Sequence, residues 1–211
     1  MLTATYTLVT LSVEQASVRV SLQCLQKLLP TKFLNQSALS AGQVSYVCDA
    51  VQRLFHNCHW RKIDIFLIPA IRRATVHANS LLDELDALSD IAGQAIADIV
   101  ARVNAGPVEG EGAVRQFCKA IQTFCDAMLA RLEREEHELF SLARTMISGE
   151  DWFAVANQML AHDAYRQESR PARDMAASAA VPVDVTDPVP AGAVWAAEKR
   201  RQASQAAWVA G

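Results

Sequence analysis

At 211 residues, with 51% hydrophobic and 20% charged side chains and a formal net charge of -3, the chain has the composition of a globular protein able to bury a core. A pI near 5.9 and a single short basic run, "EKRRQ", exclude the basic face that nucleic-acid binding requires, and that run reads as a solvated helix face. No uninterrupted apolar segment reaches the length of a membrane span.

The N-terminal "MLTATYTLVTLSVEQ" has no basic n-region and no cleavage site, so a signal peptide is not expected and a cytoplasmic location follows. The five cysteines, Cys24, Cys48, Cys58, Cys118 and Cys125, form no CxxC pair. They read as buried thiols of a reducing compartment.

In chain order, a first helix is expected from about Tyr6 to Leu29, stopped by Pro30. Its inward stripe is Leu8, Leu11, Gln15, Val18, Leu22, Leu25 and Leu29, and only Gln15 is polar. A second helix follows "NQSALSAGQ" and runs to about Ile68, with Cys48, Val51, Phe55, His59, Ile63 and Phe66 inward. The third, from about Thr75 to Asn104, places His77, Leu81, Leu85, Leu88, Ala92, Ala95 and Ile99 inward and closes at "NAGPVEGEG". The fourth spans about Gly112 to Ile147. "SGEDW" then opens a short fifth helix of about a dozen residues with Ser148 as N-cap.

Four long helices with brief loops predict an all-α fold, an antiparallel up-down four-helix bundle over residues 1–165. Residues 166–211 read as an extended Pro- and Ala-rich linker and a terminal helix bearing Trp195 and Trp208. That tail is expected to dock on the bundle or on a partner subunit, the latter giving a homo-oligomer.

The fourth helix contains a charge run, "MLARLEREEHELFSLA", that interrupts an apolar rhythm. Steps of three and four lead from Val114 through Phe117, Ile121, Phe124 and Met128 to Arg131 and Glu135, then to Glu138 or Leu139 and Leu142. The stripe therefore predicts that Arg131 and Glu135 are buried, while Glu133, Arg134 and His137 form the wet face. Four apart on one helix, Arg131 and Glu135 can pair.

A weak internal repeat sets "HWRKIDIFLIPAI" (His59 to Ile71) over "RLEREEHELFSLA" (Arg131 to Ala143), at an offset of 72. His59 falls opposite Arg131 and Ile63 opposite Glu135. On these motifs the chain resembles the hemerythrin-like family of cation-binding bundles, over about residues 6–160 and including the "EDW" after the fourth helix. The resemblance implies a di-iron site with ligands at six positions. Carried over residue by residue, three survive as metal ligands: His59, His77 and Glu135. The other three positions hold Gln15, Ile63 and Arg131.

Two closely spaced iron ions need several imidazoles and bridging carboxylates, and an arginine in a ligand position sets a permanent positive charge against a cation. The expectation is therefore a degenerate site with no cofactor, in a non-enzymatic binding or regulatory module whose partner is a protein or a small ligand, with neither nucleic acid nor membrane as partner. The alternative is a non-haem iron protein that binds O2 or NO or handles iron through a refilled ligand set drawn from His56, Asp64, Glu136 or a cysteine. "HNCHW", with His56 and His59 three apart around Cys58, offers a minor metal arrangement. A third reading, histidine phosphotransfer through His59 in "HWRKI", would need that histidine exposed and lacks the usual Gly after the Lys. No nucleophile with a base at telling spacing and no phosphate loop points to an enzyme.

Overall fold

The computed structural model describes residues 2–59 and 61–179, and the side chains of 2–58 and 61–167. Among these residues the fold is all-α, with helices α1 (Leu2–Leu28), α2 (Ala41–His59), α3 (Ile68–Ala74), α4 (Asn79–Asn104), α5 (Glu111–Arg134), α6 (Phe140–Met146) and α7 (Gly149–Ala179). The chain divides into two compact units, residues 1–166 and 167–211. None of the described helices is long and apolar enough to cross a membrane. The segment holding Trp195 and Trp208, and the contact expected of it, lies outside the described residues.

In the first unit α5 lies along both α1 and α4, while α2 touches α1 and α4. Where the chain enters α5, Gly110 adopts φ 85°, a conformation that glycine takes without a Cβ clash, and its carbonyl starts the helix by accepting the Val114 N–H at 3.1 Å. This loop is tied to the one between α1 and α2: Leu39 N–H reaches the Val108 carbonyl at 2.9 Å and Gly110 N–H the Ser37 carbonyl at 2.7 Å.

Three helix ends differ from those expected from sequence. Pro30 does not stop the first helix, because a π-helical turn, Leu29–Phe33, carries it onward with the proline among its first residues. The second helix ends at His59 rather than Ile68. The chain resumes with a π-helical turn, Ile63–Leu67, and Pro69 sits in the first turn of α3. Finally, α7 runs to Ala179, so residues 168–179 are helical rather than extended. Its start is as expected, with Ser148 Oγ accepting the Asp151 N–H at 3.1 Å.

A third π-helical turn, Glu135–Leu139, joins α5 to α6. This element and α6 repeat the Ile63–Leu67 turn and α3 at an offset of 72 at every boundary, and each α-helical piece ends on an extended residue, Thr75 and Ile147. The repeat seen in the sequence is therefore a repeat of backbone conformation. A π turn carries one extra residue, which rotates the stripe beyond it: Leu67, Ile68 and Ile71 are buried after the first, and Leu139, Phe140 and Ala143 after the other.

The buried apolar residues form two clusters. One gathers Val18, Leu22, Val51, Ile96, Phe117, Phe124 and Leu132 with their neighbours. The other gathers Leu8, Leu11, Ile63, Leu67, Leu82, Leu139 and, from α7, Trp152, Val155 and Met159. Phe124 is fully buried in the first and meets Phe55 edge to face at 6.4 Å between centroids. Phe124→Ala is expected to destabilise the fold by about 3 to 5 kcal/mol, whereas the same change at exposed Phe153 should stay within about 0.5 kcal/mol. Urea denaturation of the two variants checks this difference.

Candidate functional site

A polar layer separates the two apolar clusters. On α1, Gln15 lies between Leu11 and Val18, and on α5 Arg131 and the following Glu135 lie between Met128 and Leu139. Arg61 stands between Cys58 and Ile63, and Ser89 of α4 between Leu85 and Ala92. Helix α1, the stretch after α2, α4 and the end of α5 thus each bring polar side chains between the two clusters.

Glu135 is its centre, with no solvent exposure. Arg61 grips the carboxylate with both terminal nitrogens, Nη1 to Oε2 at 2.6 Å and Nη2 to Oε1 at 2.5 Å. Arg131 Nε donates to Oε1 at 2.9 Å, and Gln15 Nε2 to Oε2 at 2.8 Å. Four donors fill the four acceptor positions of one carboxylate. Burial alone would raise the Glu135 pKa, but the charge and hydrogen bonds of Arg61, with those of Arg131 and Gln15, hold it below the ordinary carboxylate value.

Every side-chain nitrogen of the two arginines is engaged. Arg131 bonds Asp64 through Nη2 and Ser89 Oγ through Nη1, and Arg61 Nε donates to the Cys58 carbonyl at 3.1 Å. Arg61 Nη2 lies 3.3 Å from Asp64 Oδ2. Two guanidiniums therefore face two carboxylates. Burial works against the charge of Arg61, yet Glu135 outweighs it and raises the Arg61 pKa. For Asp64 burial prevails over both arginines, and its pKa is raised.

Of the positions singled out from sequence, Gln15, Ile63, Arg131 and Glu135 are buried together, and the expected Arg131 to Glu135 pair is present. His77 is not among them. Helix α4 begins at Asn79, so His77 precedes it and is exposed, its N–H held by Thr75 Oγ1 at 3.1 Å, while Ala78 takes the inward position. The side chain of His59 lies outside the described residues. His56 is exposed, and Glu136 is an exposed partner of Arg19 at 2.8 Å. Cys58 is buried, and burial pushes its thiol up to about 11, far from a ready thiolate ligand.

Sequence reading missed Arg61 and Ser89 and named Asp64 only as a substitute metal ligand. Arg61 itself is not helical, so the helical count from α2 does not reach it, and two places off the stripe it turns inward. The repeat was the available signal, since it brought "RKID" beside the charge run.

A surface groove of about 840 Å³ is lined by residues of α1, the turn after it and α5, among them Lys27, Arg115 and Lys119 with Leu29, Leu34 and Cys118. Among the described residues no three His, Cys, Asp or Glu side chains are grouped so as to hold a metal ion. No family model matches the chain, and no curated protein or solved structure matches it.

Glu135→Gln leaves two guanidiniums without their shared counter-charge and is expected to cost about 3 to 5 kcal/mol near neutral pH. Because the folded pKa of Glu135 is depressed, its contribution is fully present above the unfolded value of about 4.3 and is lost as pH falls through the lower folded value. The stability gap between wild type and Glu135→Gln, followed by urea denaturation, should close in that acidic window. A gap that stays constant to the lowest pH at which both fold would contradict the assignment.

Proposed function

We propose that the chain is a hemerythrin-like antiparallel up-down four-helix bundle in which an internal ionic cluster takes the place of a di-iron centre, and that it works as a non-enzymatic binding or regulatory module. The bundle reading draws support from the repeated π turn and helix at an offset of 72 and from long helices joined by short connections.

The observation that carries the functional reading is the saturation of Glu135 by Arg61, Arg131 and Gln15. The residues gathered here do not fit iron. Gln15, Ile63 and Arg131 offer neither imidazole nor carboxylate, His77 is exposed, and the acceptor positions of Glu135 are taken by donors that a cation would have to displace. Two permanently charged guanidiniums oppose a third positive charge at that depth. An interior neutralised in this way holds the helices in place and leaves recognition to the surface, where the basic groove between α1 and α5 would present charge to an anionic partner.

Iron analysis of the full chain, purified from iron-supplemented culture, tests this reading. The wild-type chain is expected to carry only trace iron. Near-stoichiometric iron with an oxo-bridge absorption would sink the proposal and favour the iron-protein alternative. Removing both arginines and refilling the ligand positions, with Gln15→His, Arg61→Gln, Ile63→Glu and Arg131→His combined, should raise iron binding in a variant that stays helical. No gain in such a variant would count against the ligand map.

A further inference from the structure

Helix α1 carries a second apolar stripe on the side away from the core. Leu2, Tyr6, Val9, Val13, Ala16 and Val20 follow one another in alternating steps of four and three, and all are exposed, Leu2 by 88% and Val13 by 67%. A strict 3.5-residue repeat is the pattern of a helix seam that meets another helix. A helix face covered by solvent alone ordinarily carries charge, yet residues 2–13 hold none.

The polar groups beside the seam are already occupied. Thr10 Oγ1 donates to the Tyr6 carbonyl at 3.1 Å and Ser12 Oγ to the Leu8 carbonyl at 2.9 Å, so drying these flanks strands neither hydroxyl proton. Glu14 accepts the Lys62 N–H at 3.2 Å, and Arg19 pairs with Glu136. The first two charges of the helix are thus engaged within the chain.

We propose that this face is a homodimer interface, in which α1 of one copy packs antiparallel against α1 of a second about a twofold axis near Leu11. That register is self-complementary: Leu2 meets Val20 of the second copy, Tyr6 meets Ala16, and Val9 meets Val13. The largest side chain of the seam falls opposite the smallest. A parallel pairing would stack Tyr6 on itself and leave Ala16 facing Ala16, with a gap between. The antiparallel arrangement also opposes the two helix dipoles and gives the isologous contact of a closed dimer. It removes on the order of 1,000 Å² in total, the lower end of specific interfaces.

Sedimentation of the full chain over a range of concentrations tests the interface. A reversible monomer–dimer equilibrium is expected. Val13→Glu, at an exposed position that the fold does not need, should weaken the dimer by more than roughly a hundredfold through burial of unpaired carboxylates, with the helical circular dichroism unchanged. Val9→Gln serves as the milder second variant, and Phe153→Glu on α7 should leave the dimer intact. A wild-type chain that stays monomeric, a dimer that survives both α1 variants, or one lost with Phe153→Glu would overturn the proposal. On a Cys24→Ser background, oxidation of mixed Val9→Cys and Val13→Cys chains should cross-link the two kinds to each other. Equal cross-linking of either kind alone would overturn the antiparallel register.

Discussion

The Glu135 carboxylate is the group around which the interior is arranged. A charge with no solvent exposure survives only if its surroundings replace water completely, and here they do so with four hydrogen bonds from three segments: α1 through Gln15, the stretch after α2 through Arg61, and α5 through Arg131. Arg131 extends the cluster to Asp64 and to Ser89 of α4. One carboxylate thereby links α1, the stretch after α2 and α5, and through Arg131 also α4. The apolar clusters above and below it are generic in chemistry; the polar layer between them is directional and admits one register.

That directionality explains the two π turns beside the layer, Ile63–Leu67 and Glu135–Leu139. Each lies where the polar layer ends and the second apolar cluster begins, and each resets the helix so that Leu67 and Ile68 on one side, and Leu139 and Phe140 on the other, enter that cluster. Without the added residue, a straight α-helix leaving Glu135 would carry Glu138 toward the interior as readily as Leu139. A π turn is rare and is seen mostly at functional positions. Two of the three π turns among the described residues fall at equivalent places in the repeated unit. Arginines supply the positive charge of the layer beside them.

Much of the interior was legible in the sequence because most of the stripes are regular. The α1 stripe from Leu8 to Leu29 is buried as counted, and so is Val114 through Glu135 on α5, since nothing interrupts the 3.6-residue period in those spans. The count failed where the backbone departs from that period. Arg61 lies outside the helices, and a helical period cannot be carried across a non-helical residue. His77 precedes α4 instead of belonging to it, so the inward position falls to Ala78. Pro30 and Pro69 read as stop signals, but each falls among the first residues of a segment that continues helically from the residue before it. Charge was informative in a way that hydropathy was not: an arginine and a glutamate on a buried stripe required a partner set, and the partner set proved larger than the pair.

The central claim is that Arg61 and Glu135 form a coupled unit rather than two separate tolerances. A double-mutant cycle measures this directly, using Arg61→Met, Glu135→Leu and the combined variant in equilibrium urea unfolding. Each single change strands a buried charge, and the combined change removes both, so the double variant is expected to be more stable than the sum of the two losses by about 1 to 3 kcal/mol. Losses that add to within about 0.5 kcal/mol would show that the two side chains do not depend on each other, and the account of the interior as one ionic cluster would fail.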